Sequence, residues 1–186
     1  MAALVIFLAF GSPPAWADRN AYDKVVDLSA ESATLRVEHH HDWGVAQRDS
    51  DWERMSTGKD LAGSRSTLSY LRVLDKKSGA ELFHRPVSAL TYLWIDDKST
   101  YVVGISRIKV GNPHQLVVFN RAGERLLERN LAGIAWPGKS ESVTNWIQWY
   151  KEPVPKISID EGTATALLSV QDPVGGMRRF EFHLTP

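Results

Sequence analysis

The chain alternates apolar and polar residues in short runs, a pattern that predicts half-buried β-strands. Two such runs flank a turn in residues 70–84, YLRVLDKKSGAELFH, where Gly79 can supply the positive φ that a hairpin loop needs. Residues 116–129, LVVFNRAGERLLER, repeat this plan around a loop at 120–123. The pattern therefore predicts antiparallel hairpins along much of the chain.

The segments in front of the hairpins also resemble one another. VDLSAESATLRV begins at Val26, WIDDKSTYVVGI at Trp94 and SIDEGTATALLS at Ser158. Each has an apolar residue, a small or acidic turn with Ser or Thr at its end, and then a β-rich run. A spacing of roughly 64 residues predicts about three copies of one antiparallel unit. We expect an all-β fold in which these units form a sandwich or a partly open barrel.

The plan of two strands followed by a hairpin, with turns at 75–82 and 120–126, resembles the blades of β-propeller repeat proteins over about residues 68–131. The resemblance implies that each unit is one blade. A propeller needs at least about four blades to close its ring, and the chain supplies three units. A truncated or oligomer-completed propeller is therefore the alternative to the sandwich.

One segment has helical character. Residues 138–153, GKSESVTNWIQWYKEP, place Trp146, Trp149 and Tyr150 at helical spacing, which predicts one short helix near 140–151. Trp136 precedes this segment in a loop. The segment 42–67 is rich in polar residues and carries Trp52, so it is read as a long loop, and loops of such length are often functional.

Residues 1–17 have the anatomy of a secretory signal peptide. An apolar run at 2–10 is followed by a Gly-Ser-Pro-Pro break and by Ala-Trp-Ala in front of Asp18. Cleavage there would leave one all-β domain at 18–186, either periplasmic or secreted. A basic region before the apolar run is missing, so the true start codon could lie upstream of Met1. A buried N-terminal strand or core helix is the alternative.

Composition narrows the classes of partner and cofactor. Lys plus Arg and Asp plus Glu number 22 each, which argues against nucleic acid or anionic lipid as the partner. The absence of cysteine excludes disulfides and thiolate metal sites. After residue 17 no apolar stretch is long enough to span a membrane. The strong motifs for hydrolysis, nucleotide use and calcium binding are missing, so we expect neither catalytic residues nor a cofactor.

Acidic pairs at 96–97 and 160–161 could suggest a glycosidase acid and base. They occupy the same place in two of the repeated units, however. Asp is a favoured turn residue because its side chain bonds nearby backbone amides. We therefore predict turn roles for both pairs.

Residues 37–44, VEHHHDWG, hold three adjacent histidines. In a strand, His39 and His41 continue the apolar face while His40 and Asp42 point to the other face. An H-x-H pair on a strand can present two nitrogens to one metal ion. We predict instead the polar end of a strand with no metal. The alternative is a site of His39, His41 and Asp42, which needs a bulge after His41 or a further ligand such as His84, His114 or His183.

The favoured hypothesis is an exported, non-enzymatic binding protein that recognises another envelope or secreted protein, in an inhibitor or immunity-like role. Its binding residues are predicted among the aromatic side chains Trp52, Trp136, Trp146, Trp149 and Tyr150. Two alternatives stay open. One is a metal-dependent enzyme or metal-handling protein that uses His39 and His41, and the other is a glycan or peptidoglycan-binding module. The aromatic stripe could also be the seam by which a helix covers a sheet.

Overall fold

The computed structural model describes residues 25–42, 69–106, 114–131, 150–171 and 176–185. These ranges contain eleven β-strands and no helix. In chain order the strands are β1 (Val25–Glu31), β2 (Leu35–Asp42), β3 (Ser69–Asp75), β4 (Glu81–Pro86), β5 (Tyr92–Ile95), β6 (Tyr101–Ile105), β7 (Leu116–Asn120), β8 (Arg125–Arg129), β9 (Lys151–Asp160), β10 (Thr165–Gln171) and β11 (Met177–His183).

The strands form three antiparallel sheets, and within each sheet spatial order follows chain order. The first sheet is β1-β2-β3-β4, the second is β5-β6-β7-β8, and the third is β9-β10-β11. Over the described ranges the sheets do not close on one another. The predicted fold class is confirmed, because an all-β fold of three antiparallel sheets fits a sandwich.

The second sheet lies between the other two, and its central strands β6 and β7 are buried on both faces. Val102 and Val117 pack in a core shared with the first sheet, whereas Val103 and Val118 pack in a core shared with the third. Successive residues of a strand point to opposite faces, so a strand covered on both sides carries a continuous apolar run. This explains the sequences YVVGI in β6 and LVVFN in β7.

The acidic turn residues hold the turns, as the sequence predicted. The Asp96 carboxylate accepts hydrogen bonds from the backbone N–H groups of Thr100 (2.7 Å) and Tyr101 (2.6 Å). Asp160 likewise accepts from the N–H of Gly162 at 2.8 Å. These bonds satisfy amides in the first hairpin of the second and third sheets.

The hairpin turns also connect neighbouring sheets. The Ser32 hydroxyl of the β1–β2 turn lies 2.6 Å from that of Ser99 in the β5–β6 turn. Lys98 of the same β5–β6 turn donates to Glu161 of the β9–β10 turn at 3.1 Å. The three segments aligned in sequence thus occupy one end of adjacent sheets. Their origin as copies of one repeat stays a prediction.

Several expectations fall outside the described residues. These are the signal peptide at 1–17, most of the 42–67 loop, and residues 140–149 of the predicted helix. The helix does not extend to Lys151, where the long strand β9 begins. Among the residues that are described, no helix is long and apolar enough to cross a membrane.

Candidate functional site

Strand β2 divides the histidine run between its two faces, as the alternation predicted. His39 and His41 are 1% and 3% exposed, whereas His40 and Asp42 are half-buried on the opposite face. Pairing with β1 runs in regular register through His41 and Asp42, opposite Val26 and Val25. The bulge that would bring Asp42 beside the two imidazoles is therefore not present.

The two inward imidazoles form a hydrogen-bonded pair. His39 Nδ1 lies 2.8 Å from the Tyr70 carbonyl oxygen and must donate to it, which leaves Nε2 as the acceptor. Two donors converge on that Nε2 atom, the backbone N–H of Leu90 at 3.0 Å and Nδ1 of His41 at 2.9 Å. The contacts thus assign His39 as the neutral tautomer with its proton on Nδ1, and they place a proton on Nδ1 of His41.

Burial keeps both imidazoles neutral. Desolvation lowers the pKa of His39 well below its usual value, and the neighbouring His41 lowers it further. The pKa of His41 falls to about 4, chiefly by desolvation and then by repulsion from His40, although Asp27 and Asp42 partly oppose this. In addition, a proton on His39 Nε2 would face the Leu90 N–H. The lone pair of His39 Nε2 already accepts hydrogen bonds, so His39 is arranged as a hydrogen-bond acceptor rather than as a metal ligand.

Leu90 belongs to the connector that joins β4 to β5, residues 87–91. A second buried histidine, His114, also accepts a hydrogen bond from this connector. His114 Nδ1 accepts the backbone N–H of Ser88 at 2.9 Å, and its Nε2 lies 3.6 Å from the Glu128 carboxylate. A hydrogen bond from His114 is the main reason why the pKa of Glu128 is lowered. Since buried backbone N–H groups need acceptors, His39 and His114 together allow residues 87–90 to be buried.

The outward face of the first sheet carries a different set of side chains, here named the ladder face. Its members are Asp27, Arg36, Glu38, His40, Tyr70, Arg72, Glu81 and His84. His40 Nδ1 lies 2.7 Å from the Asp27 carboxylate. The Tyr70 and His84 rings stack with centroids 4.5 Å apart and planes 29° apart.

Ion pairs order the charged half of the ladder face. The Glu38 carboxylate lies 2.9 Å from Arg36 and 3.4 Å from Arg72. Arg72 also approaches Glu81, at 3.9 Å. Such partly exposed pairs contribute little stability individually, about 0–1 kcal/mol each. Their effect is to hold a planar guanidinium and a stacked Tyr–His pair side by side on a rigid sheet.

Of the five aromatic residues predicted to bind a partner, only Tyr150 belongs to the part of the chain that the structure describes. Tyr150 is 2% exposed and packs in the core between the second and third sheets. Trp52, Trp136, Trp146 and Trp149 lie outside the described residues. Over the described ranges, no three His, Cys, Asp or Glu side chains are grouped to hold a metal.

The other histidines named as further ligands lie apart from the His39–His41 pair. His84 belongs to the ladder face, His114 holds the connector, and His183 is exposed at the end of β11. Sequence reasoning missed the ladder face because Tyr70 and Arg72 occupy ordinary outward positions of an alternating strand. The signal that could have identified it is the register with β4, which aligns Arg72 with His84.

Comparison with known proteins finds similarity to solved structures alone. The chain matches no protein family, and no curated protein matches it in sequence. Among solved structures it is similar to an oligogalacturonate lyase in complex with manganese, at 17% identity and a TM-score of 0.40 over 81% of this chain and 32% of that one. It is also similar to a eukaryotic initiation factor, at 10% identity and a TM-score of 0.39 over 88% and 33% of the two chains. The chain spans about a third of each of these proteins, and likeness at this level carries no functional argument.

Proposed function

We propose that the protein is an exported, non-enzymatic binding protein that recognises another envelope or secreted protein through the ladder face. The observation that supports this is the Tyr70–His84 stack beside Arg72 on an outward sheet face. Tyr and Arg are enriched among the residues that dominate protein interfaces. The ladder face carries both acidic and basic side chains, so it suits a partner surface that also carries charges of both signs.

The side chains of the ladder face are held before any partner binds. The Tyr70 ring stacks on His84, with centroids 4.5 Å apart, and makes a tilted contact with the His40 ring, with centroids 5.4 Å apart. Arg72 is placed by its two carboxylate neighbours. Ordering a long side chain on binding costs about 0.5–1.5 kcal/mol, and such preorganisation removes part of that cost.

The test is capture from an envelope extract with purified protein as bait, repeated with Arg72→Ala and Tyr70→Ala variants. A residue that dominates an interface costs about 2 kcal/mol or more when truncated, so each variant should retain roughly thirtyfold less partner. The matched control is Arg121→Ala, which removes an arginine of similar exposure that is paired with Asp75 on another surface. Melting temperature is measured for every variant to confirm folding.

A partner captured equally by Arg72→Ala, Tyr70→Ala and the control would contradict the ladder face as the binding surface. Stoichiometric retention on cell-wall material without any protein partner would favour the glycan alternative instead. Trp52 stays a prediction as an additional contact, and a Trp52→Ala variant in the same assay tests it.

A further inference from the structure

The outward face of the third sheet contains a groove that is separate from the ladder face, because the second sheet lies between the two. Its volume is about 310 Å³. That is at the small end of the range for small-molecule sites. The groove is named here the β10 groove, and its lining includes Lys156, Ser158, Leu167, Ser169 and Arg179.

Strand register places two cations on either side of a hydroxyl group. Ser169 of β10 pairs with Lys156 of β9 and with Arg179 of β11. Directly opposed residues share a face, and neighbouring strands are about 4.8 Å apart, so both long side chains can reach a group above Ser169. Among the described carboxylates none forms an ion pair with Lys156 or Arg179. Their charge is therefore not already neutralised within the described structure.

The neighbouring set of paired residues on this face, Ser158, Leu167 and Glu181, has the apolar Leu167 on its central strand. Leu167, a large apolar side chain, is 44% exposed and pairs with Ser158 on β9. Its partner on β11 is Glu181, which would repel an anion on that side. An apolar group bound next to the cations would therefore lie over Leu167 and toward Ser158.

We propose that the β10 groove binds a small anion that carries a short apolar group. Its phosphate or carboxylate would lie between Lys156 and Arg179, with the Ser169 hydroxyl donating to it, and its apolar part would cover Leu167. Arginine suits this role because its planar guanidinium donates two parallel hydrogen bonds to such oxyanions. The ligand is a dissolved molecule, since the site is a groove of limited volume.

Hexyl phosphate and hexanoate are the probes, titrated into the purified protein while the amide signals of Leu167 and Ser169 are followed by NMR. We expect saturable binding of at least one of them, weakening with added salt as the charges are screened. Hexanol should not bind, because it lacks the anion. Inorganic phosphate should bind at least about tenfold more weakly, because it lacks contact with Leu167.

Variants test the named side chains. Lys156→Gln/Arg179→Gln should weaken binding at least about tenfold, and Leu167→Ser should weaken the alkyl anions but not inorganic phosphate. Lys98→Gln, at an exposed lysine of the β5–β6 turn, is the matched control and should bind as the unmodified protein does. The remaining amide signals report folding, and all of the changed positions are surface positions.

Three results would overturn the proposal. These are failure of both alkyl anions to saturate, equal binding by the double variant and the control, and equal affinity for inorganic phosphate and hexyl phosphate. Flotation with vesicles containing phosphatidic acid tests whether the bound anion is a lipid headgroup or a dissolved molecule. Capture by the vesicles without binding of the soluble probes would show that a lipid surface, and not a dissolved ligand, is recognised.

Discussion

Acid should destabilise the protein through its buried histidines. His41 is 3% exposed and its pKa is lowered to about 4 from a usual 6.5. The unfolded chain therefore binds a proton that the folded chain rejects. The stability that this neutral imidazole contributes is complete above pH 6.5 and is lost progressively as the pH falls toward 4.

The size of this loss follows from the pKa difference. One pKa unit corresponds to about 1.4 kcal/mol, so the change from 6.5 to about 4 gives roughly 3 kcal/mol for His41 alone. The pKa of His39 is also lowered, and the two rings share a hydrogen bond, so they lose stability together. Glu128 and Asp160, whose pKa values are lowered, act in a lower range, because stability from such carboxylates is lost only as they protonate.

Urea unfolding at a series of pH values between about 7.5 and 4.5 measures this effect. We compare the unmodified protein with His41→Asn, which keeps an N–H donor near the Nδ1 position but cannot titrate. The variant should lose about 3 kcal/mol less over this range. His183→Asn, which removes an exposed histidine, is the control for the loss of a histidine. A flat profile in the unmodified protein, or the same slope in His41→Asn, would refute the reasoning.

Three further predictions concern turns, core and export. Gly123→Ala should cost about 2–4 kcal/mol in urea unfolding and Gly79→Ala about 1, because both have positive φ but only at Gly123 would the new Cβ lie 2.6 Å from the Phe83 ring. Equal losses would show that the contact with Phe83 is relieved at no cost. Tyr150→Ala should cost about 3–5 kcal/mol, since it empties a core position, and a loss near zero would contradict its burial. Expressed with residues 1–17 included, the protein should be recovered outside the cytoplasm with Asp18 as its first residue, as N-terminal sequencing can determine. A folded protein that retains Met1 would contradict the predicted cleavage.

Local pattern was sufficient for much of the fold. Alternation in β2 predicted that His39 and His41 continue an apolar face, and both lie on the buried face that also carries Leu35 and Val37. The acidic turns were predicted from Asp side chains that bond nearby backbone amides. The positive φ of Gly79, which is 71°, was predicted from the conformational freedom of glycine. These features depend on residues a few positions apart, so they can be derived without knowing how the sheets pack.

Features that depend on distant residues could not be derived. The Leu90 amide that occupies His39 Nε2 lies 51 positions away in the chain. The sequence could therefore present an H-x-H pair without showing that one of its nitrogens was already engaged. The Tyr70–His84 stack could not be derived either, because it depends on the register between β3 and β4. Tyr150 illustrates a different limit, because helical spacing of aromatic residues does not reveal that it lies directly before a strand and packs in the core.

The connector from β4 to β5 links the buried histidines to the arrangement of the sheets. Its Ser88 amide bonds His114, beside the second sheet, and its Leu90 amide bonds His39 of the first sheet. The first and second sheets thus each supply one imidazole to the same short segment, and the chain passes between them without leaving those amides unsatisfied. His40 lies next to His39 in sequence but faces the opposite way, toward Asp27. Because alternation separates the two roles, the ladder face can vary at His40 without altering the hydrogen bonds that hold the connector in place.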